Sequence, residues 1–125
     1  MKIGVVGSRT FSNYPILEGW LLNLLEIKMG KDEKVVISGG ASGADTLAGK
    51  FVESNNAKIY HPGLSLEVYL PDWNKNGKAA GFIRNQQIVD NSDIIVAFWD
   101  GKSKGTKDTI DKARRAKKPT FIVYF

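Results

Sequence analysis

Four short stretches, Lys2 to Val6, Val35 to Ser38, Asp93 to Phe98 and Thr120 to Tyr124, carry apolar runs with no alternation between apolar and polar residues. A strand that is apolar on both sides is buried on both faces, which in practice means a parallel sheet covered by helices. The segments between them read as helices. After the first strand, Ile16, Leu17, Trp20, Leu21, Leu24 and Leu25 fall on one helical face, with Asn13 and Pro15 at its start and Gly30 at its close. The order then repeats, with a helix over 44–54, a third strand over Ala57 to Tyr60, and helices over 83–91 and 106–117. Strands joined by helical crossovers in this order predict an α/β fold: a Rossmann-like three-layer domain with a mainly parallel sheet of about five strands and helices on both faces.

One stretch fits neither period. His61 to Gly81 holds Pro62, Pro71, Trp73, Gly77 and Gly81, and a segment of this kind is expected to be either a lid or a surface excursion. At 125 residues the chain has the length of one domain, with no internal repeat or linker. Without cysteine, and with His61 as its one histidine, it offers no thiolate or histidine-rich metal site, and its acids are not grouped as magnesium ligands. No metal and no cofactor is therefore expected. The start shows no leader pattern and no apolar run is long enough for a membrane span, so the expected location is cytoplasmic, with no membrane partner. The net charge of +5 is local: residues 100–118 hold eight bases against three acids, and the remainder of the chain is neutral. A basic segment suits phosphate-bearing partners, from a mononucleotide to a nucleic acid, or is simply a solvated helix.

Sheets of this class bind ligands beyond the carboxyl ends of their strands, and most candidate motifs fall there. Ser38, Gly39, Gly40, Ala41, Ser42, Gly43, Ala44 and Asp45 lie between a strand and a helix, and read either as a phosphate cradle or as a tight turn in which Asp45 caps the helix. The loop lacks the lysine and spacing of a P-loop, and the dinucleotide GxGxxG pattern is absent. Gly7, Ser8, Arg9 and Thr10 end the first strand at the same edge, where an arginine pairs bidentately with phosphate or carboxylate. Arg84 and Asn85 open the next-to-last helix, and Gly105 and Thr106 open the last one, with Asp108 in its first turn. Arg84 and Asp108 are the catalytic candidates should the domain be an enzyme. Trp73 and Trp99 are expected in loops as stacking platforms for a base, whereas Trp20 belongs to the core stripe.

In GSRTF (7–11), SGGASGADTLA (38–48), DWNKNGKAAGFIRNQQIVDNSD (72–93) and AFWDGKSKGTKDTI (97–110), the sequence resembles the SLOG superfamily. That Rossmann-like group includes the Lonely Guy phosphoribohydrolases and the DNA-processing protein DprA, and the YspA-like branch is the most similar. The resemblance implies a nucleotide-derived ligand, such as ADP-ribose, in a pocket built by these four motifs, and a homodimer. In the Lonely Guy enzymes an arginine precedes the strand and a Gly-Thr follows it, with a glutamate three places on. Arg84 and Gly105-Thr106 match, but Thr109 stands where the glutamate would be, and Asp108 is one place early. Three functions follow. The first is binding, carriage or sequestration of a nucleotide-derived small molecule; the second is an N-glycosidase releasing a base from a ribose phosphate; the third is single-stranded nucleic-acid binding.

Overall fold

A computed structural model describes residues 1–27, 33–56 and 63–125. Five strands, β1 (Lys2–Gly7), β2 (Lys34–Ser38), β3 (Leu64–Val68), β4 (Ile94–Trp99) and β5 (Thr120–Tyr124), form one sheet in the order β3-β2-β1-β4-β5. All four pairings are parallel. The helices are α1 (Tyr14–Ile27), α2 (Ala44–Asn56), the single turn α3 (Trp73–Asn76), α4 (Ala80–Asn91) and α5 (Lys104–Arg115), with a 3-10 turn at Gly77–Ala79 between α3 and α4.

The apolar runs are buried as their composition requires. The four central residues of β1 and of β4 are inaccessible on both faces, whereas the edge strand β3 is buried only at Leu64 and leaves Leu66 and Val68 exposed. Leu17, Leu21 and Leu25 of α1 join Ala48 and Phe51 of α2 against Ile3, Val5, Val36 and Phe98 on one face. On the other face, Ile88 and Val89 of α4 and Ile110 and Ala113 of α5 cover Val6, Ile37, Ile95 and Ala97. Asn13 caps α1 as its sequence suggests, its Oδ1 accepting from the Ile16 amide at 3.3 Å.

The expected strand at Ala57 to Tyr60, together with His61 and Gly30, lies outside the described residues. The third strand of the sheet is Leu64–Val68, within the stretch expected to be irregular. Its sequence LSLEV alternates, which puts Leu64, Leu66 and Val68 on one face; Leu64 is buried in the core, and the other two reach solvent at the sheet edge. The rest of that stretch is also more regular than expected. Asp72 accepts from the Lys75 amide at 3.0 Å and so caps α3.

The chain runs outward from β1 to β2 and β3, then returns to place β4 on the other side of β1. The order reverses between β1 and β4, and at such a point the loops leaving the two strands diverge and open a crevice.

Candidate functional site

The crevice is present. A cleft of about 120 Å³ opens at the carboxyl edge between the β1 and β4 loops, floored by Val6 and Gly7 and walled by Arg9, Asp45, Arg84, Asn85 and the start of α5 at Gly105 and Thr106. Motifs separated by up to a hundred residues in the chain meet here because three strand ends and the N-terminus of α4 share one edge.

Arg84 is fixed from both ends of its guanidinium. Its Nη1 donates to the Gly39 carbonyl at 2.6 Å and its Nε to Asn85 Oδ1 at 3.0 Å. Burial, reinforced against the pull of Asp45 by the nearby charge of Arg9, holds Arg84 below the ordinary arginine value. An arginine nonetheless stays protonated in a protein, so the wall it forms is cationic. Asn85 is buried, and its Nδ2 donates to Gly105 O at 3.3 Å and to Asp108 Oδ2 at 3.1 Å, which ties α4 to α5 across the cleft.

The glycine loop turns part of its backbone inward. Ala41 donates to Asp45 Oδ2 at 3.0 Å, the nearby Gly39 amide also favours the carboxylate, and Gly40 donates to Ser38 Oγ at 3.2 Å. The loop folds around an acid of its own chain, so Asp45 caps it and at the same time enters the cleft. Burial pushes the Asp45 carboxyl up to about 6, against the lowering effect of those amides and of Arg84. The cationic groups lining this cleft are its arginines, Arg9 and Arg84. Gly43 holds φ of 77° with its α-carbon against the carbonyls of Ser8 and Arg9, which seats the β2–α2 loop on the β1 loop.

The remaining candidates separate clearly. Ser8 is buried and its Oγ accepts from the Asp100 amide at 3.3 Å, joining the β1 and β4 loops, while Thr10 and Ser42 are exposed outside the cleft. Ala44 is fully buried beneath Gly7. Trp99 ends β4 instead of occupying a loop. Its ring packs on Tyr124 with centroids 5.7 Å apart, and its Nε1 donates to Ser103 O at 3.0 Å, so it supports the start of α5. Trp73 lies on α3, 58% exposed, and does not line the cleft.

Asp108 does not line the cleft. It accepts from Asn85 and forms an ion pair with Lys112 one turn along α5. Thr109, at the position of the Lonely Guy glutamate, does line it, and is buried with its Oγ1 donating to Gly105 O at 3.3 Å. The helix face that would carry a glycosidase carboxylate therefore presents a hydroxyl. Sequence reasoning passed over Thr109 and Ser103 as cleft residues, although Thr109 sits three places beyond Thr106 and so on the same face of α5. Asp100 was also passed over; its Oδ1 accepts from the Lys102 and Ser103 amides at 2.9 and 2.8 Å and shapes the β4–α5 loop.

Among the described residues, no group of three or more acidic, histidine or cysteine side chains is placed to hold a metal ion, and no helix is long and apolar enough to cross a membrane.

No family model matches the chain. It is 34% identical over 116 residues to the gene 61 protein of Mycobacterium phage D29, an alignment that covers 92% of this chain and 90% of that protein. Two solved structures share its fold. DNA processing protein A from Streptococcus pneumoniae superposes with a TM-score of 0.72 at 20% identity, over 97% of this chain and 49% of the other. DNA processing protein A from Helicobacter pylori, in a structure concerned with that protein's single-stranded DNA binding mode, superposes with a TM-score of 0.65 at 21% identity, over 98% of this chain and 64% of the other. The chain thus spans 49% of one of these proteins and 64% of the other.

Proposed function

The chain belongs to the family of the gene 61 protein of Mycobacterium phage D29, and from its cleft we propose that it binds single-stranded nucleic acid, seating a phosphate between Arg9 and Arg84 at the carboxyl edge of the sheet. By its four ordered motifs we place it in the YspA-like branch of the SLOG superfamily. The observation that carries the function is the convergence of two arginines, from the β1 loop and from α4, on one cleft at the point where the strand order reverses. Three further features support it. The cleft, at about 120 Å³, is well below the roughly 300 Å³ at which sites for drug-sized ligands begin, and so suits one unit of a longer strand. Lys102 and Lys104 are exposed at the adjoining start of α5 and extend the positive surface. The shared fold includes a protein from Helicobacter pylori that binds single-stranded DNA.

Fluorescence anisotropy with a labelled oligothymidylate tests this. Affinity should fall steeply between about 50 and 200 mM salt, with a log–log slope of roughly −0.7 per phosphate contacted. Arg9→Ala, at an exposed side chain, should weaken binding and flatten the slope by about one such contact. Failure of the wild-type protein to bind at low salt overturns the reading.

A second reading draws on Asp45. A carboxylate inside an anion-binding cleft suits a ligand that brings hydroxyl donors with its phosphate, such as a ribonucleotide-derived small molecule. Stabilisation by mononucleotides or ADP-ribose in a thermal-shift series, without binding of the oligothymidylate, would put this reading in place of the first.

A further inference from the structure

Large apolar side chains are exposed unevenly. From β3 to the first turn of α4, Val68 is 46%, Leu70 68%, Trp73 58%, Phe82 52% and Ile83 41% exposed, a concentration with no packing function inside the fold. The polar residues set among them are mostly cationic or amide: Lys75 and Lys78 are exposed, Asn76 lies between, and the one acid from 68 to 83, Asp72, spends its carboxylate on the Lys75 amide. The Trp73 ring rests over Gly81, where a Cβ would stand 3.8 Å from its edge, and Phe82 follows directly, with Lys112 Nζ 5.4 Å from its centroid.

This ledge adjoins the arginine cleft. Leu70 lies against Gly40, where a Cβ would come within 2.6 Å of its Cδ2, while Arg84 holds the carbonyl of the preceding Gly39. A protein partner would meet the apolar area but leave Lys75 and Lys78 without a role. A single strand uses both, since its bases stack on exposed ring faces and its phosphates meet the ammonium groups between them.

We infer that Trp73 and Phe82 form a base-stacking ledge, with Lys75 and Lys78 as its phosphate contacts, on which a single strand continues after leaving the cleft; this rests on the proposed nucleic-acid function. The test compares a labelled oligothymidylate with an abasic deoxyribose-phosphate strand of equal length, using the full chain and its Trp73→Ala, Phe82→Ala and Trp73→Phe variants. Wild-type protein should prefer the strand with bases, and each alanine variant should lose about tenfold in affinity for it. Neither variant should change affinity for the abasic strand or the salt slope, and Trp73→Phe should retain most of the binding. If wild type binds oligothymidylate and the alanine variants bind equally well, the ledge is overturned while the cleft function stands. If those variants change sedimentation but not oligothymidylate affinity, the ledge is a protein-docking face and the inference again fails. If wild type binds neither strand, both proposals fall together.

Discussion

The β2–α2 and β4–α5 loops solve the same local problem with the same device, and burial separates them. Each leaves the carboxyl end of a central strand, contains a glycine with positive φ (77° at Gly43, 81° at Gly101), and wraps backbone amides around a carboxylate of its own chain. Asp45 accepts from the Ala41 amide with that of Gly39 close by, and Asp100 accepts from those of Lys102 and Ser103. At Asp100 the amides of Ser103 and Lys102 dominate and hold the carboxyl below its usual range. At Asp45 the same kind of hydrogen bonds, with Arg84 assisting, are outweighed by loss of water, and the carboxyl titrates at about 6. Hydrogen-bond partners alone do not set proton affinity: the first loop is closed over the cleft and the second stands open.

The largest separation should come from the glycines. Gly43→Ala would force a left-handed backbone on a residue with a side chain and drive its Cβ into the carbonyls of Ser8 and Arg9, so strain and overpacking add to about 4 kcal/mol. Gly101 has nothing within reach of an added Cβ, so Gly101→Ala should cost only the conformational part, about 1 kcal/mol. Urea denaturation of both variants gives the comparison directly, and equal losses would mean that the two loops are equally free.

The carboxylates differ next. Asp45 has its folded value raised from 3.8 to about 6, so the stability tied to its proton is complete below about pH 4 and is lost as pH rises through 6. A shift of that size is worth about 3 kcal/mol at pH 7.5. Asp45→Asn removes the charge and keeps an acceptor for Ala41, but its NH2 replaces the second carboxylate oxygen beside the Arg84 charge, at a cost of about 1 kcal/mol. The variant should therefore be more stable than wild type by about 2 kcal/mol at pH 7.5, and lose that advantage at pH 4. Measuring unfolding of the pair at both pH values cancels the contribution of every other acid. An advantage independent of pH would show that Asp45 is not desolvated.

The sequence carried the sheet better than it carried these distinctions. Unbroken apolar runs mark β1, β2, β4 and β5 because inner parallel strands are buried on both faces, and β5, though at an edge, kept such a run over Thr120–Tyr124. Leu64–Val68 escaped for the opposite reason, since its alternation among prolines and glycines reads as irregular until β2 is seen to pair with it. The arginines of the cleft were legible, because the carboxyl-edge rule places Arg9 and Arg84 together once the strand order is inferred. The role of Asp45 was only half legible. Its spacing allowed a cap or a cradle, and desolvation is a property of the assembled walls. Asp108 and Thr109 show the limit of spacing: one step of about 100° around α5 puts Thr109 in the cleft and turns Asp108 to Asn85 and Lys112.

The smallest effect should come from Asp100→Ala. Its carboxylate is in contact with water, so the amides it releases can be hydrated in place, and global stability should fall less than for Gly101→Ala. The local consequence is sharper. Lys102 and Ser103 would lose their shared acceptor, while Trp99 Nε1 would still hold Ser103 O and Lys107 would still donate to that carbonyl. Hydrogen exchange should accordingly speed up at the Lys102 and Ser103 amides, and the Lys107 amide should keep its protection. Because these residues border the cleft at Gly105 and Thr106, oligothymidylate affinity should decline by a few-fold at most, against the larger loss from Arg9→Ala. If Asp100→Ala instead matched the arginine variant, the open loop would be setting the geometry of the cleft, and the division between a structural carboxylate and a titrating one would not hold.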